Sequence, residues 1–269
     1  MRVALVQMNS QDDKAANLER AETLIGQAAA WGSDLVLLPE LWTYLGPRKR
    51  HPKVAEPIPG ETSELLSRLA SRYRFWLVGG SYLEALPGSE RFHNTCVVFN
   101  PDGDLVARYR KLHLFDVEVD GKTYEESATV ASGDDVVVTT VAGVAVGLTI
   151  CYDLRFPELY RRLCARGARL ITMPAAFTME TGKDHWEVLL RARAIENQVY
   201  VLAAAQCGSY PPANACYGNS MVVDPWGVVL ARAGYREGVV VTDIDLAHEE
   251  RIRKTLPALA HRREDLFTF

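Results

Sequence analysis

Cys151 closes the run 144–150, which carries valine, leucine and isoleucine, and Pro157 and Glu158 follow shortly after it. The run reads as a strand buried on both faces, and Pro157-Glu158 as the first turn of a helix. A cysteine at that junction sits at the carboxyl edge of a sheet, near helix-terminal N–H groups that favour an anion. Most free cysteines are inert small hydrophobes, so position alone does not make this one reactive. A thiol that attacks a carbonyl needs a base for its proton, donors for the oxyanion and an acid for the leaving group. Two further strand ends offer such groups: Glu40, just past the run 35–38 and its stop at Pro39, and Lys111, at the end of a hairpin strand. Alone, each reads as a solvated surface charge. Spacing leaves a Cys–His pairing with His93, His113 or His185 open, while a G-x-S-x-G serine elbow is absent.

The elements that would hold these groups follow from periodicity and turn chemistry. Residues 2–7 read as a strand, followed by a helix capped by Asp12 or Asp13 and ended by Gly32. The strand 35–38 leads into a surface loop up to Gly60, a helix from about Thr62 and a strand over 75–82. A hairpin pairs 93–100 with 104–109 about Pro101-Asp102-Gly103. After Arg110 comes a long polar loop containing Glu125 and Glu126, and such loops are more often functional than idle. A second hairpin, 136–141 with 144–150, delivers the chain to Cys151. Then come a helix over 157–166, a strand over 170–173, and a loop through Thr181 and Gly182 into a helix over 184–198. Strands 200–206, 220–224, 228–232 and 239–243 close the body, the last pairing next after the turn Pro225-Trp226-Gly227. A basic helix after Asp245 and an extended tail with Leu266, Phe267 and Phe269 finish the chain.

Strands alternate with helices in the outer parts and hairpins fill the middle. This pattern predicts an α/β protein of mixed sheets packed face to face with helices outside, a four-layer α-β-β-α sandwich. No G-x-G-x-x-G follows an early strand and no phosphate loop is present, which excludes a dinucleotide fold. With 269 residues, 48% apolar, the chain can bury a full core as one domain over 1–269, with 245–269 as its terminal helix and tail. A net charge of −4 with intermixed signs argues against nucleic acid and anionic membrane, and points to a small-molecule partner. The first residues lack a signal peptide pattern and no run is long enough to span a bilayer, so a cytoplasmic protein is expected. The five scattered cysteines suggest reduced thiols and no metal site.

Three segments together carry a resemblance. Leu37-Leu38-Pro39-Glu40-Leu41-Trp42, Tyr109-Arg110-Lys111-Leu112-His113-Leu114-Phe115-Asp116 and Cys151-Tyr152-Asp153-Leu154-Arg155-Phe156-Pro157-Glu158 resemble the signature segments of the nitrilase superfamily of carbon–nitrogen hydrolases. The likeness continues through the segment from His185 to Arg193, the Gln206-Cys207-Gly208 piece and the His261-Arg262-Arg263 tail, and is similar to the Nit branch. One departure is Asn219, where that branch usually has histidine.

The resemblance implies that Cys151 is the nucleophile, Glu40 the general base and then acid, and Lys111 the oxyanion donor together with the Tyr152 backbone N–H. Glu126 matches the family's second glutamate, and Thr181 a hydroxyl offered to a substrate carboxylate. It also implies a cofactor-free amidase acting on the monoamide of a 2-oxo dicarboxylic acid, deaminated glutathione first and 2-oxoglutaramate second. Another amidase or an N-carbamoyl amidohydrolase is the neighbouring alternative. A catalytically silent scaffold would show loss of Glu40, Lys111 or Cys151, and none is lost. A homo-oligomer, at least a dimer, is implied too. With an ammonium and helix N–H groups nearby, the thiol, ordinarily near pKa ~8.5, is expected to ionise within reach of neutral pH. Arg155 stands one helical turn beyond Cys151 and is expected to read a substrate carboxylate, its alternative being a surface ion pair with Glu158.

Overall fold

The structure, a computed structural model, describes residues 1–119, 121–263 and 265–266. Seventeen strands run along the described chain: β1 Arg2–Gln7, β2 Leu35–Leu37, β3 Trp76–Val78, β4 Tyr82–Glu84, β5 His93–Phe99, β6 Leu105–Arg110, β7 Asp116–Val119, β8 Lys122–Glu125, β9 Val138–Val141, β10 Val144–Leu148, β11 Leu170–Ala175, β12 Tyr200–Ala205, β13 Cys207–Tyr210, β14 Asn214–Tyr217, β15 Met221–Val223, β16 Val229–Arg232 and β17 Gly238–Asp243. Six α-helices accompany them: α1 Lys14–Ala30, α2 His51–Val54, α3 Glu61–Tyr73, α4 Pro157–Ala165, α5 Met179–Asn197 and α6 Leu246–Thr255.

Two large mixed sheets result. The first has the order β17-β1-β2-β3-β5-β4, with β6 also on β5, and the second runs β16-β15-β12-β11-β10-β9. The period of two along β1 assigns its side chains. Val3 and Leu5 enter the core between the sheets with Leu148, Met173 and Leu202, whereas Ala4 and Val6 pack outward under α1 and α3. α1 is anchored by Asp13, whose side chain accepts from the Ala16 N–H, and buries Leu18, Ala21, Leu24, Ile25 and Ala28 at helical spacing. Leu159 and Leu163 of α4, with Trp186 and Leu190 of α5, cover the outside of the second sheet. This is the α-β-β-α sandwich expected.

Several elements differ from expectation. The strand over 75–82 is broken into β3 and β4 at Gly79 and Gly80, where the backbone passes very close to the Glu40 segment. Gly80 has φ +58°, and a Cβ there would lie 2.1 Å from the Pro39 carbonyl. The stretch up to Gly60 is not merely a surface loop. Trp42 is fully buried and donates its indole N–H to the Gly79 carbonyl, and a short 3₁₀ turn and α2 bury His51. The polar loop after Arg110 contains the hairpin β7–β8, and β13–β14 is a second unforeseen hairpin. β17 pairs antiparallel with β1, Arg2 opposite Asp243, and so completes the first sheet, not the second. α5 begins at Met179, capped by Thr178, which places Thr181 in its first turn and not in a loop. Phe267 and Phe269 of the expected aromatic tail lie outside the described residues.

Candidate active site

Glu40, Lys111 and Cys151 come from three strand ends and meet in one cavity of about 560 Å³. Glu40 follows β2 and Pro39 and is 3% exposed; Lys111 follows β6 and is 2% exposed. Cys151 opens a 3₁₀ turn, Cys151–Arg155, directly beyond β10. Its φ of +47° lies in the left-handed region, which a non-glycine residue occupies only when its surroundings hold it there. The helix α4 starts at Pro157 as expected, so the turn that carries Arg155 one step beyond Cys151 is 3₁₀ and not the start of that helix.

The Lys111 ammonium donates to Glu40 Oε1 at 2.9 Å and to Glu126 Oε2 at 2.8 Å. Glu40 Oε2 accepts the Ala176 N–H at 2.8 Å, and Glu126 Oε2 also accepts the Phe115 N–H at 2.8 Å. Asn94 on β5 places its amide between the carboxylates, donating to Glu40 Oε1 at 2.9 Å and to Glu126 Oε1 at 3.1 Å. Gln206, just past β12, donates to the Glu40 carbonyl at 3.0 Å and so ties that segment to the second sheet.

Charge decides the resting protonation. Burial alone would push the Lys111 ammonium down, but Glu126 and Glu40 outweigh it and hold the group well above its ordinary range. Burial pushes the Cys151 thiol up, and the facing Glu40 carboxylate pushes it further than Lys111 pulls it back. Burial and Glu40 thus oppose the easily formed thiolate that the sequence led one to expect. The reason is that two carboxylates already share the one ammonium, so a third buried anion has no partner. Glu40 is the carboxylate that faces the Cys151 thiol.

The Tyr152 N–H lies in the first turn of the 3₁₀ segment, where such groups have no partner within the helix. Arg155 ends the same turn and lines the cavity. No ion pair joins it to a carboxylate, Glu158 included, among the described residues. Its guanidinium instead lies 5.2 Å from the Phe177 ring centroid and 5.8 Å from that of Tyr152, with Nη1 at 3.2 Å from His185 Nδ1. Thr181 also lines the cavity, its hydroxyl 2.9 Å from that of Thr178. The histidines are occupied elsewhere: His113 is held on Asp153, His185 faces Arg155, and His93 lies opposite Glu84 on the sheet. No hydrogen bond joins any of them to Cys151 among the described residues.

Asn94, the Ala176 N–H and Phe177 escaped the sequence reading. Asn94 had a readable sign, since asparagine is depleted in strands and this one interrupts an otherwise β-prone segment. The Ala176 N–H had none, because only the fold brings it to Glu40.

Comparison with known proteins agrees with this geometry. The model of the carbon–nitrogen hydrolase family matches residues 2–254. The chain is 44% identical to an omega-amidase NIT2-B of Xenopus laevis over 99% of this chain and 96% of the relative, and 43% identical to the omega-amidase NIT2 of Homo sapiens over the same shares. The C. elegans NitFhit protein superposes with a TM-score of 0.93 at 39% identity over 99% of this chain, which spans 66% of that protein's length. The chain thus belongs to the carbon–nitrogen hydrolase family of the nitrilase superfamily, and is an amide-hydrolysing enzyme.

Proposed function

We propose that this amidase cleaves 2-oxoglutaryl amides, with 2-oxoglutaramate as the preferred substrate, through a thioester on Cys151. Glu40 takes the thiol proton as sulfur attacks the amide carbon, and the oxyanion forms against Lys111 and the Tyr152 N–H, donors worth roughly 3 kcal/mol each in comparable sites. Glu40 then hands the proton to the departing nitrogen, ammonia leaves, and the same carboxylate activates the water that hydrolyses the thioester to 2-oxoglutarate. Glu126 keeps Lys111 charged and in place.

The observation that carries the substrate choice is Arg155, a cavity cation that makes no ion pair with a carboxylate among the described residues. A substrate carboxylate must be desolvated there, and a guanidinium can meet it with a bidentate pair. Thr181 offers a hydroxyl from the facing helix end. Likeness to omega-amidases supports ammonia as the leaving group. Deaminated glutathione is the second reading: it carries the same 2-oxoglutaryl half, and the cavity continues to Arg48 and Lys122, more room than a five-carbon acid needs.

The test is release of 2-oxoglutarate from both amides in parallel, by wild type and by Arg155→Ala. The variant should lose about 30- to 100-fold in kcat/KM on oxo-acid amides, mostly as KM, and little on uncharged amides. An equal loss on all amides would remove Arg155 from substrate recognition, and no release from either compound would remove the substrate class.

We further propose a cytoplasmic homodimer of single-domain subunits. No helix among the described residues is long and apolar enough to cross a membrane. Val188 and Ile195 of α5 are 65% and 48% exposed, and Ile195 lies against Gly227 of the β15–β16 turn, between the exposed Trp226 and Val228, an apolar area a second copy would cover. A monomer by light scattering at micromolar concentration would refute the dimer.

A further inference from the structure

Lys111 and Cys151 lie on different segments, and the ion pairs of Lys111 run to Glu40 and Glu126, neither of which belongs to the segment of the nucleophile. Something else must set the distance between ammonium and sulfur. We propose that Asp153 is the positioning residue that does so, by fastening the Lys111 strand end to the Cys151 turn through a single buried carboxylate. The inference rests on the roles given above to Cys151 and Lys111.

Asp153 is fully buried and receives four hydrogen bonds. Oδ2 accepts from the Tyr109 hydroxyl at 2.6 Å and from the Ile150 N–H at 2.8 Å. Oδ1 accepts from the His113 N–H at 3.1 Å and from His113 Nδ1 at 2.7 Å. Tyr109 and His113 flank Lys111 two residues before and after it, and Ile150 immediately precedes Cys151. The one carboxylate therefore grips both sides of the lysine and the entry to the left-handed cysteine. The His113 ring is further clamped by stacking on Phe156, with centroids 3.7 Å apart and planes within 7°. Phe156 directly follows the same turn, so the two segments meet at a second point.

Only an acceptor on both oxygens satisfies this arrangement. In Asp153→Asn the amide NH₂ must face either the Ile150 N–H or the His113 N–H, and either choice sets donor against donor. One segment is then released while the shape of the side chain is kept.

The experiment compares two reactions of Cys151. Amide hydrolysis builds an oxyanion and needs Lys111 in place, whereas alkylation by iodoacetamide forms a thioether, expels iodide and builds no oxyanion. Asp153→Asn should lower kcat for the amide by about 100-fold with KM within about twofold, while alkylation of Cys151 slows by less than about threefold. Tyr109→Phe keeps the carboxylate and frees only the strand side, so it should show the same split at about 10-fold, and it carries the test if Asp153→Asn does not fold. Equal proportional losses in both reactions, as expected from a merely smaller folded fraction, would overturn the role of Asp153 and leave the amidase reading standing. A wild-type protein inert towards every amide would overturn that reading and this inference with it.

Discussion

Replacing Asn94 with aspartate changes one atom and reverses the electrostatics of the site. In the native protein the amide donates to both Glu40 and Glu126, and its Oδ1 has no partner among the described residues, so those two carboxylates set its orientation. A carboxylate oxygen in the same place would lie about 3 Å from two others. At an effective dielectric of about 20, each such contact costs about 5 kcal/mol, which a buried cluster avoids by retaining a proton. A protonated acid at position 94 restores one donated hydrogen bond, so the variant should fold and keep partial activity at low pH. The shared proton has a folded-state pKa raised above the unfolded value near 4. Its stabilisation is therefore full below about pH 4 and lost as pH rises through the folded value. If the folded value lies near 7, the variant loses about 4 kcal/mol relative to wild type between pH 4 and neutrality, at about 1.4 kcal/mol per pH unit. Urea denaturation of both proteins across pH 4.5 to 8, with kcat measured over the same range, gives the two curves. A difference in stability that does not vary with pH would show that the three groups are not coupled, and would refute the reasoning.

Two further perturbations follow from the same cluster and from its wall. Lys111→Met leaves Glu40 and Glu126 buried without their cation, and should cost roughly 3–5 kcal/mol of stability at neutral pH and lower kcat by at least about 100-fold, read by denaturation and by single-turnover rates. His51, buried in the cavity wall and hydrogen-bonded to Thr129, is held down to about 4, first by burial and then by Arg48. Its neutral ring favours the folded state above about pH 6.5, and that support is lost as pH falls through 4. His51→Gln should therefore flatten the acid decline of Tm by the equivalent of up to about 3 kcal/mol. An unchanged acid limb in thermal melts would assign the decline to other groups.

What the sequence disclosed depended on how local the cause was. The run before Cys151, the Asp13 cap and the Pro157 helix start are local signals, and each appears where it was expected. Glu40 and Lys111 sit at strand ends that periodicity locates, but their meeting is a tertiary fact that only likeness to a family suggested. The sequence reading weighed the Lys111 ammonium beside Cys151 and not the burial of the thiol or the two carboxylates that the fold brings to the same ammonium. The hairpins β7–β8 and β13–β14 carry partly exposed, polar strands whose pattern is that of a loop. Gln206 and Asp153 stood inside segments that carried the resemblance but were given no role, since the partners of a buried polar group are set by the fold.

The pairing of β17 with β1 has a consequence for how the protein is made. Arg2 and Asp243, 241 residues apart, lie side by side in the finished sheet. During synthesis β1 emerges long before β17, with its Val3, Ala4, Leu5 and Val6 and one whole edge of N–H and C=O groups unmatched until the ribosome has released residues 238–243. At ordinary translation rates that wait lasts on the order of 10–50 s, far longer than the microseconds in which a free strand can find a wrong neighbour. The nascent chain therefore meets an aggregation risk before β17 exists, and a stalled or truncated product lacking β17 should be the species that chaperones hold and proteases remove.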